Sequence, residues 1–162
     1  MPSARPKPAA PPTSMADGFV LDTHVLAELE RPAPDPAVLA WFAGQAADDL
    51  HLTATVVAEL WHGIELKPEG ACRTALAAWL VALLDDGFAD RILPFDAAAA
   101  RIWGRLMAEG RRAGWPPAVR DAEIAAVALT HGLTVATRNV RDFAPFGVGW
   151  LDPWQTGGAT EA

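Results

Sequence analysis

The chain has 162 residues, of which 51% are hydrophobic and 20% charged, and its formal net charge at pH 7 is −7. This composition is typical of one folded domain with its own core and argues against a disordered protein. No apolar run approaches the roughly 20 residues that a membrane-spanning helix requires. Cys72 is the only cysteine, which excludes an internal disulfide and suits a reducing cytoplasm. We expect its thiol to be buried on a helix.

The two ends differ in composition from the middle of the chain. The first twelve residues contain five of the fourteen prolines and lack the apolar segment of a signal peptide. We interpret residues 1–17 as a disordered Pro/Ala-rich leader, and Met15 is an alternative start to Met1. A single domain is expected over 18–155, followed by a flexible tail over 156–162.

Strands and helices alternate along the predicted domain. Asp35 and Pro36 fit a helix N-cap followed by a first-turn proline. The longest helix is expected to be interrupted at Gly104 and loosened at Gly110, and Gly132 is expected to end a later helix. Strands are predicted at 19–22, 50–53, 91–95, 133–137 and 148–151, and helices after 22, at 35–43, after 53, at 71–85, at 96–112 and at 120–131. Because helices separate the strands, the pattern predicts an α/β fold with a mainly parallel sheet and helices on both faces.

Acidic residues follow several of these elements. Asp22 ends the first strand, Glu59 lies in the helix after the second strand, and Asp121 begins the helix before the fourth. Asn139 and Asp142 follow the fourth strand. Each acid alone is more often a turn residue, a cap or a solvated charge, but ligands of such sheets bind beyond the carboxyl ends of the strands. Because clustered carboxylates repel, their convergence favours a hard divalent cation, Mg²⁺ or Mn²⁺ rather than Zn²⁺.

Four segments also carry a family likeness. They are FVLDTHVLAEL, TATVVAELWHGIEL, RDAEIAAVALTHGLTVATRNVRDF and VGWLDPW, spread over about residues 18–155. In this order they resemble the PIN-domain family, and within it the VapC-like toxin ribonucleases of bacterial toxin–antitoxin pairs. The resemblance implies a three-layer α/β sandwich around a mainly parallel five-stranded sheet. It also implies a Mg²⁺- or Mn²⁺-dependent endoribonuclease that hydrolyses RNA and is inhibited by a cognate antitoxin.

The resemblance carries over to individual positions. The family's acids map to Asp22, Glu59 and Asp121, which we predict to be catalytic and to bind the metal. The fourth position is Asn139, where relatives carry Asp, so one negative charge is missing. The Asn139 carbonyl can still bind a cation, and Asp142 is the alternative fourth ligand.

Thr23 and His24 directly follow the first acid. Thr23 is assigned to the substrate-binding group, and its hydroxyl is expected either to cap the following helix or to hydrogen-bond a ligand carboxylate. His24 stands where relatives usually have a small polar residue. We expect it to be partly buried and to pack beside the site rather than to bind substrate or metal.

The charge is unevenly distributed along the chain. Residues 17–96 contain four basic and fourteen acidic residues, a net charge of −10. Residues 101–141 contain seven arginines and three acidic residues, a net charge of +4. This basic flank is where RNA phosphates are expected to lie. The predicted contacts are Arg111, Arg112, Arg120 and Arg138, whereas Arg101 and Arg105 are better read as a solvated helix face.

The chain has seven tryptophans, most of which are expected in the core or at interfaces. Trp115, in the loop before Asp121, is the best candidate to touch RNA. Trp61 and Trp79 lie on apolar helices and suit an antitoxin segment, a second copy of the chain in a homodimer, or both. The alternative function is a catalytically weak PIN domain that serves only as an RNA- or protein-binding module, and Asn139 is the feature that favours it.

Overall fold

The computed structural model describes residues 18–158; the leader predicted over 1–17 and residues 159–162 lie outside the described part. Five strands form one sheet in the described chain: β1 (Phe19–Leu21), β2 (Leu50–Thr53), β3 (Ile92–Leu93), β4 (Thr134–Ala136) and β5 (Trp150–Leu151). The α-helices of this part flank the sheet: α1 (Thr23–Glu30), α2 (Pro36–Ala43), α3 (Ala54–Glu65), α4 (Ala71–Ala82), α5 (Ala97–Arg112), α6 (Val119–His131) and α7 (Val140–Phe143).

The strand order is β3-β2-β1-β4-β5, and all neighbouring strands are parallel. The order reverses at β1, because β2 lies on one side of it and β4 on the other. Leu21 pairs with Ala136, and the backbone N–H of Asp22 donates to the Ala136 carbonyl at 3.0 Å. Asp22 therefore lies where parallel α/β sheets open a crevice for ligands.

The sheet is buried because its central strands are apolar. Val20 and Leu21 in β1 and Val135 in β4 are completely buried. Each such side chain contributes roughly 1.5–3 kcal/mol through removal from water. Helix α6 is also buried over residues 124–128, where three alanines allow it to approach β1 and β4 closely. This packing fixes the first turn of α6, which carries Asp121, at the edge of the sheet.

Most of the predicted elements are confirmed. The Asp35 carboxylate caps α2 by accepting from the Ala37 N–H at 2.8 Å, and Gly132 ends α6 in the left-handed conformation with φ 66°. The strand predicted at 91–95 has only two residues, and the short helix α7 was not predicted. None of the helices in the described chain is long and apolar enough to cross a bilayer.

Three expectations about single positions are corrected. Helix α5 continues through Gly104, because one exposed glycine costs only about 1 kcal/mol and alanine-rich turns precede it. Cys72 lies on a helix as expected, but it is exposed, because it borders an open groove between α4 and α1. Residues 156–158, which we assigned to the tail, belong to a 3-10 helix (Pro153–Gly158) that packs against α2.

Candidate active site

Asp22 is the most deeply placed acid of the site, with 4% of its surface exposed. Its Oδ1 accepts from the backbone N–H of Thr23 at 2.8 Å, which caps α1. Its Oδ2 accepts from the hydroxyl of Thr137 at 2.8 Å. These bonds compensate the cost of burying a carboxylate. Thr137, which sequence reasoning missed, is completely buried and also accepts from the Asn139 N–H at 2.9 Å, so it ties the loop after β4 to Asp22.

Glu59 reaches the same edge from α3. Its Oε2 accepts from the Thr23 hydroxyl at 2.5 Å, and its Oε1 lies 3.5 Å from the Arg120 guanidinium. Of the two roles left open for Thr23, the structure therefore shows the hydrogen bond to a carboxylate, while Asp22 provides the cap of α1. Arg120, predicted to contact substrate, is paired with an acid of the site.

Asp121 lies in the first turn of α6 and is half-buried. Burial raises the pKa of its carboxyl from the ordinary 3.8 to about 6, and repulsion from Asp142, Asp22 and Glu59 adds to the shift. His24 opposes the shift only weakly, as the last of the causes. The other three acids therefore lie close enough to Asp121 to disfavour its ionised form.

His24 lies beside Asp22 with much of its side chain exposed to solvent. Its side chain is 56% exposed, because it lies on the outer side of the first turn of α1. The side chain is therefore partly buried beside the site, as expected. Its Nδ1 lies 3.2 Å from the Asp22 Oδ2. That hydrogen bond raises the pKa of His24, burial lowers it, and the charges of Asp22, Glu59 and Asp121 raise it further.

The two candidates for the fourth ligand are placed differently. Asn139 is exposed at the start of α7, and its backbone rather than its side chain makes the bond to Thr137. Asp142 is half-buried one turn later, and its charge is the strongest electrostatic influence on Asp121. The structure thus brings Asp142 beside the predicted acids.

The predicted RNA-binding arginines lie on different segments and have different partners. Arg111 and Arg112 are exposed at the end of α5, and the Arg112 Nε donates to the Ala108 carbonyl at 3.2 Å. The Arg138 guanidinium lies over the Trp154 ring, 5.2 Å from its centroid. Arg111, Arg112 and Arg138 are exposed to solvent, whereas Arg120 already has an acidic partner.

The donor atoms at this edge suit a hard divalent cation. They are carboxylate oxygens with amide and hydroxyl oxygens nearby, the ligands that Mg²⁺ and Mn²⁺ prefer. Within residues 18–158, however, no three His, Cys, Asp or Glu side chains are arranged to enclose an ion. The carboxylates of Asp22 and Glu59 are turned towards protein donors. Binding an ion would therefore require some of these hydrogen bonds to be exchanged.

Fold and site together define an α/β protein whose acidic site lies at the switch point of a parallel sheet. The family model described as PIN domain matches residues 19–146, and the chain belongs to this family.

Curated relatives and solved structures extend this likeness over most of the domain. The chain is 40% identical over 137 residues to VapC ribonuclease Y4jK of Sinorhizobium fredii, covering 85% of this chain and 98% of the relative. It is 38% identical over 136 residues to Toxin FitB of Neisseria gonorrhoeae, covering 84% and 98%. The structure of FitAB bound to an IR36 DNA fragment superposes with a TM-score of 0.79 at 35% identity, covering 84% of this chain and 95% of that chain.

Proposed function

We propose that this chain is a Mg²⁺- or Mn²⁺-dependent endoribonuclease that acts as the toxin of a toxin–antitoxin pair. The observation that carries the proposal is the convergence of Asp22, Glu59, Asp121 and Asp142 at one edge of the sheet, where burial and the other three carboxylates raise the pKa of Asp121. A bound cation would relieve the repulsion on Asp121. Similarity to a VapC ribonuclease over nearly the whole domain supports RNA as the substrate. The alternative, a binding module without activity, is disfavoured because all three mapped acids are present.

Each residue of the site has a role in this proposal. Asp22, Glu59 and Asp121 would hold the cation, with Asn139 or Asp142 as the fourth oxygen ligand. When bound, the ion supplies an ionised water as nucleophile and stabilises charge on the phosphate oxygens.

Thr137 and Thr23 would keep the first two carboxylates oriented, because each donates its hydroxyl to one of them. Arg120 neutralises part of the Glu59 charge and would be released when the cation takes its place.

RNA would approach along the basic flank defined by residues 101–141. Arg111, Arg112 and Arg138 project into solvent and would receive phosphates. Such contacts give affinity without reading sequence, and they compensate for the overall charge of −7.

A groove between α1 and α4 supports a protein partner. Its volume is about 380 Å³, and it is lined by Leu29, Glu30, Cys72, Ala75, Leu76 and Trp79. An open, mainly apolar surface of this kind favours an amphipathic segment of an antitoxin, in the cytoplasm where toxin and antitoxin would meet. Trp61 does not line this groove; it lies half-buried on α3 and suits a separate contact, such as one with a second copy.

RNA cleavage by the purified protein, freed of any antitoxin, tests the function. Cleavage should require Mg²⁺ or Mn²⁺, and Asp22→Asn should lower the rate by at least about 100-fold, since even partners behind metal ligands contribute about 10–100-fold. Asp35→Asn makes the same chemical change at another helix N-cap and should keep full activity. A folded Asp22→Asn protein with unchanged metal-dependent cleavage would overturn the assignment. RNA binding without cleavage in either metal would favour the binding module.

A further inference from the structure

A cavity of about 210 Å³ opens beside the acidic edge, between the loop that joins α5 to α6 and the segment around α7. It is lined by Trp115, Pro117, Ala118, Asp121, Arg141, Asp142 and Pro145. The lining therefore combines an aromatic residue and two prolines with charged residues, and it shares two acids with the proposed active site. A ligand in it would lie directly next to the reacting phosphate.

The loop that carries Trp115 is held firmly in place. The backbone N–H of Trp115 donates to the Gly110 carbonyl at 3.0 Å, and the Trp115 indole packs against Phe146 with ring centroids 6.0 Å apart. Gly110 allows the loop to approach α5 closely, because a Cβ there would lie 2.6 Å from the Pro117 ring. The cavity wall is thus formed before any ligand binds.

Size and chemistry limit what the cavity can accept. Pockets for drug-sized ligands have volumes of about 300–1,000 Å³, so a cavity of 210 Å³ accommodates one flat ring system rather than a larger ligand. Aromatic side chains and arginine guanidinium groups are the surfaces on which proteins stack unpaired bases. A nucleotide whose phosphate lies at the acids would have its base within reach of Trp115.

We propose that this cavity is a nucleobase subsite, which binds the base of one nucleotide adjacent to the scissile phosphate by stacking on Trp115, with Arg141 as a hydrogen-bond donor. The inference rests on the proposed ribonuclease function and deepens it. It favours a single-stranded RNA segment at the cleavage site, because a paired base would first have to break its pairing and stacking to enter the cavity.

The test uses a single-stranded RNA oligonucleotide whose cleavage position has been mapped with the wild-type protein in Mn²⁺. Two further oligonucleotides lack the base on the 5′ or the 3′ side of the scissile phosphate. Trp115→Leu should lower kcat/KM on the intact RNA by about tenfold, the loss expected for one stacked base. Trp115→Phe should restore most of it. Pro116→Ala, in the same loop but outside the cavity lining, is the matched control and should be unchanged.

The decisive result is the coupling between protein and substrate changes. One of the two abasic RNAs should be cleaved about tenfold more slowly by the wild type, but no more slowly than intact RNA by Trp115→Leu. If both abasic RNAs are cleaved as much more slowly than intact RNA by Trp115→Leu as by the wild type, the base and Trp115 do not interact. That result would overturn the subsite. Unchanged RNA kinetics with weakened antitoxin binding would overturn it too, and would assign the cavity to a protein side chain. Absence of all Mn²⁺-dependent cleavage by the wild type would instead refute the ribonuclease function and the subsite together.

Discussion

Asp121→Asn should stabilise the metal-free protein at neutral pH. The difference between a pKa of 3.8 and one of about 6 means that the ionised Asp121 carboxylate destabilises the native state by about 3 kcal/mol. Because the side chain is partly exposed, solvent screening reduces this to roughly half. Asp121 also interacts favourably with the N-terminus of α6, and losing that charge costs about 0.3–1 kcal/mol. The expected net gain is about 1 kcal/mol, or a rise in Tm of about 2–4 °C.

The pH dependence distinguishes this cause from a general packing effect. Since the pKa of Asp121 is raised on folding, the native state binds the proton more tightly, and this stabilisation is lost as the pH rises from about 4 to about 6. The advantage of Asp121→Asn should therefore be full above about pH 6 and absent below about pH 4. Urea denaturation of both proteins after removal of metal by chelator, at several pH values, measures this difference in the free energy of unfolding. A variant that is less stable at neutral pH, or equally stabilised at every pH, would refute the electrostatic reasoning.

Two further predictions concern the support of the site and the basic flank. Thr137→Val removes a buried hydroxyl that donates to Asp22 and accepts from the backbone N–H of Asn139. It should lower the free energy of unfolding in urea by about 2–3 kcal/mol, and an unchanged midpoint would contradict the hydrogen-bond network. Replacing both Arg111 and Arg112 with Ala should reduce the slope of log binding constant against log salt for single-stranded RNA by about 1.4, since each phosphate contact contributes about 0.7. The same double change at Arg101 and Arg105 is the control, and an equal effect there would mean that the flank acts only through its total charge.

Sequence patterns predicted the sheet and its acidic edge because both depend on the order of strands, helices and acids along the chain. Asp22 follows an apolar strand without a gap, and Asp121 opens a helix, so their placement needs only the direction of the strands. The side-chain partners depend on tertiary contacts instead. Thr23 meets Glu59 across 36 residues of chain and Thr137 meets Asp22 across 115, and no local pattern specifies such pairs.

The missed features have similar physical reasons. The four residues of α7 are too few to show a helical period, yet this helix places Asp142 near Asp121. The cavity beside Trp115 depends on how closely the loop approaches α5 at Gly110, which is a matter of packing rather than of residue type.

Calorimetric titration of the chelator-treated protein with Mn²⁺, at neutral pH and in the absence of RNA, is the most direct measurement of whether these acids hold a cation. The wild type should bind Mn²⁺, and in a parallel titration at pH 6 binding should release protons, because Asp121 is partly protonated there without the metal. Binding should be lost or strongly weakened in Asp22→Asn and retained in Asp35→Asn. Equal binding by the wild type and Asp22→Asn, or no binding by the wild type at millimolar Mn²⁺, would contradict a metal site at this edge of the sheet.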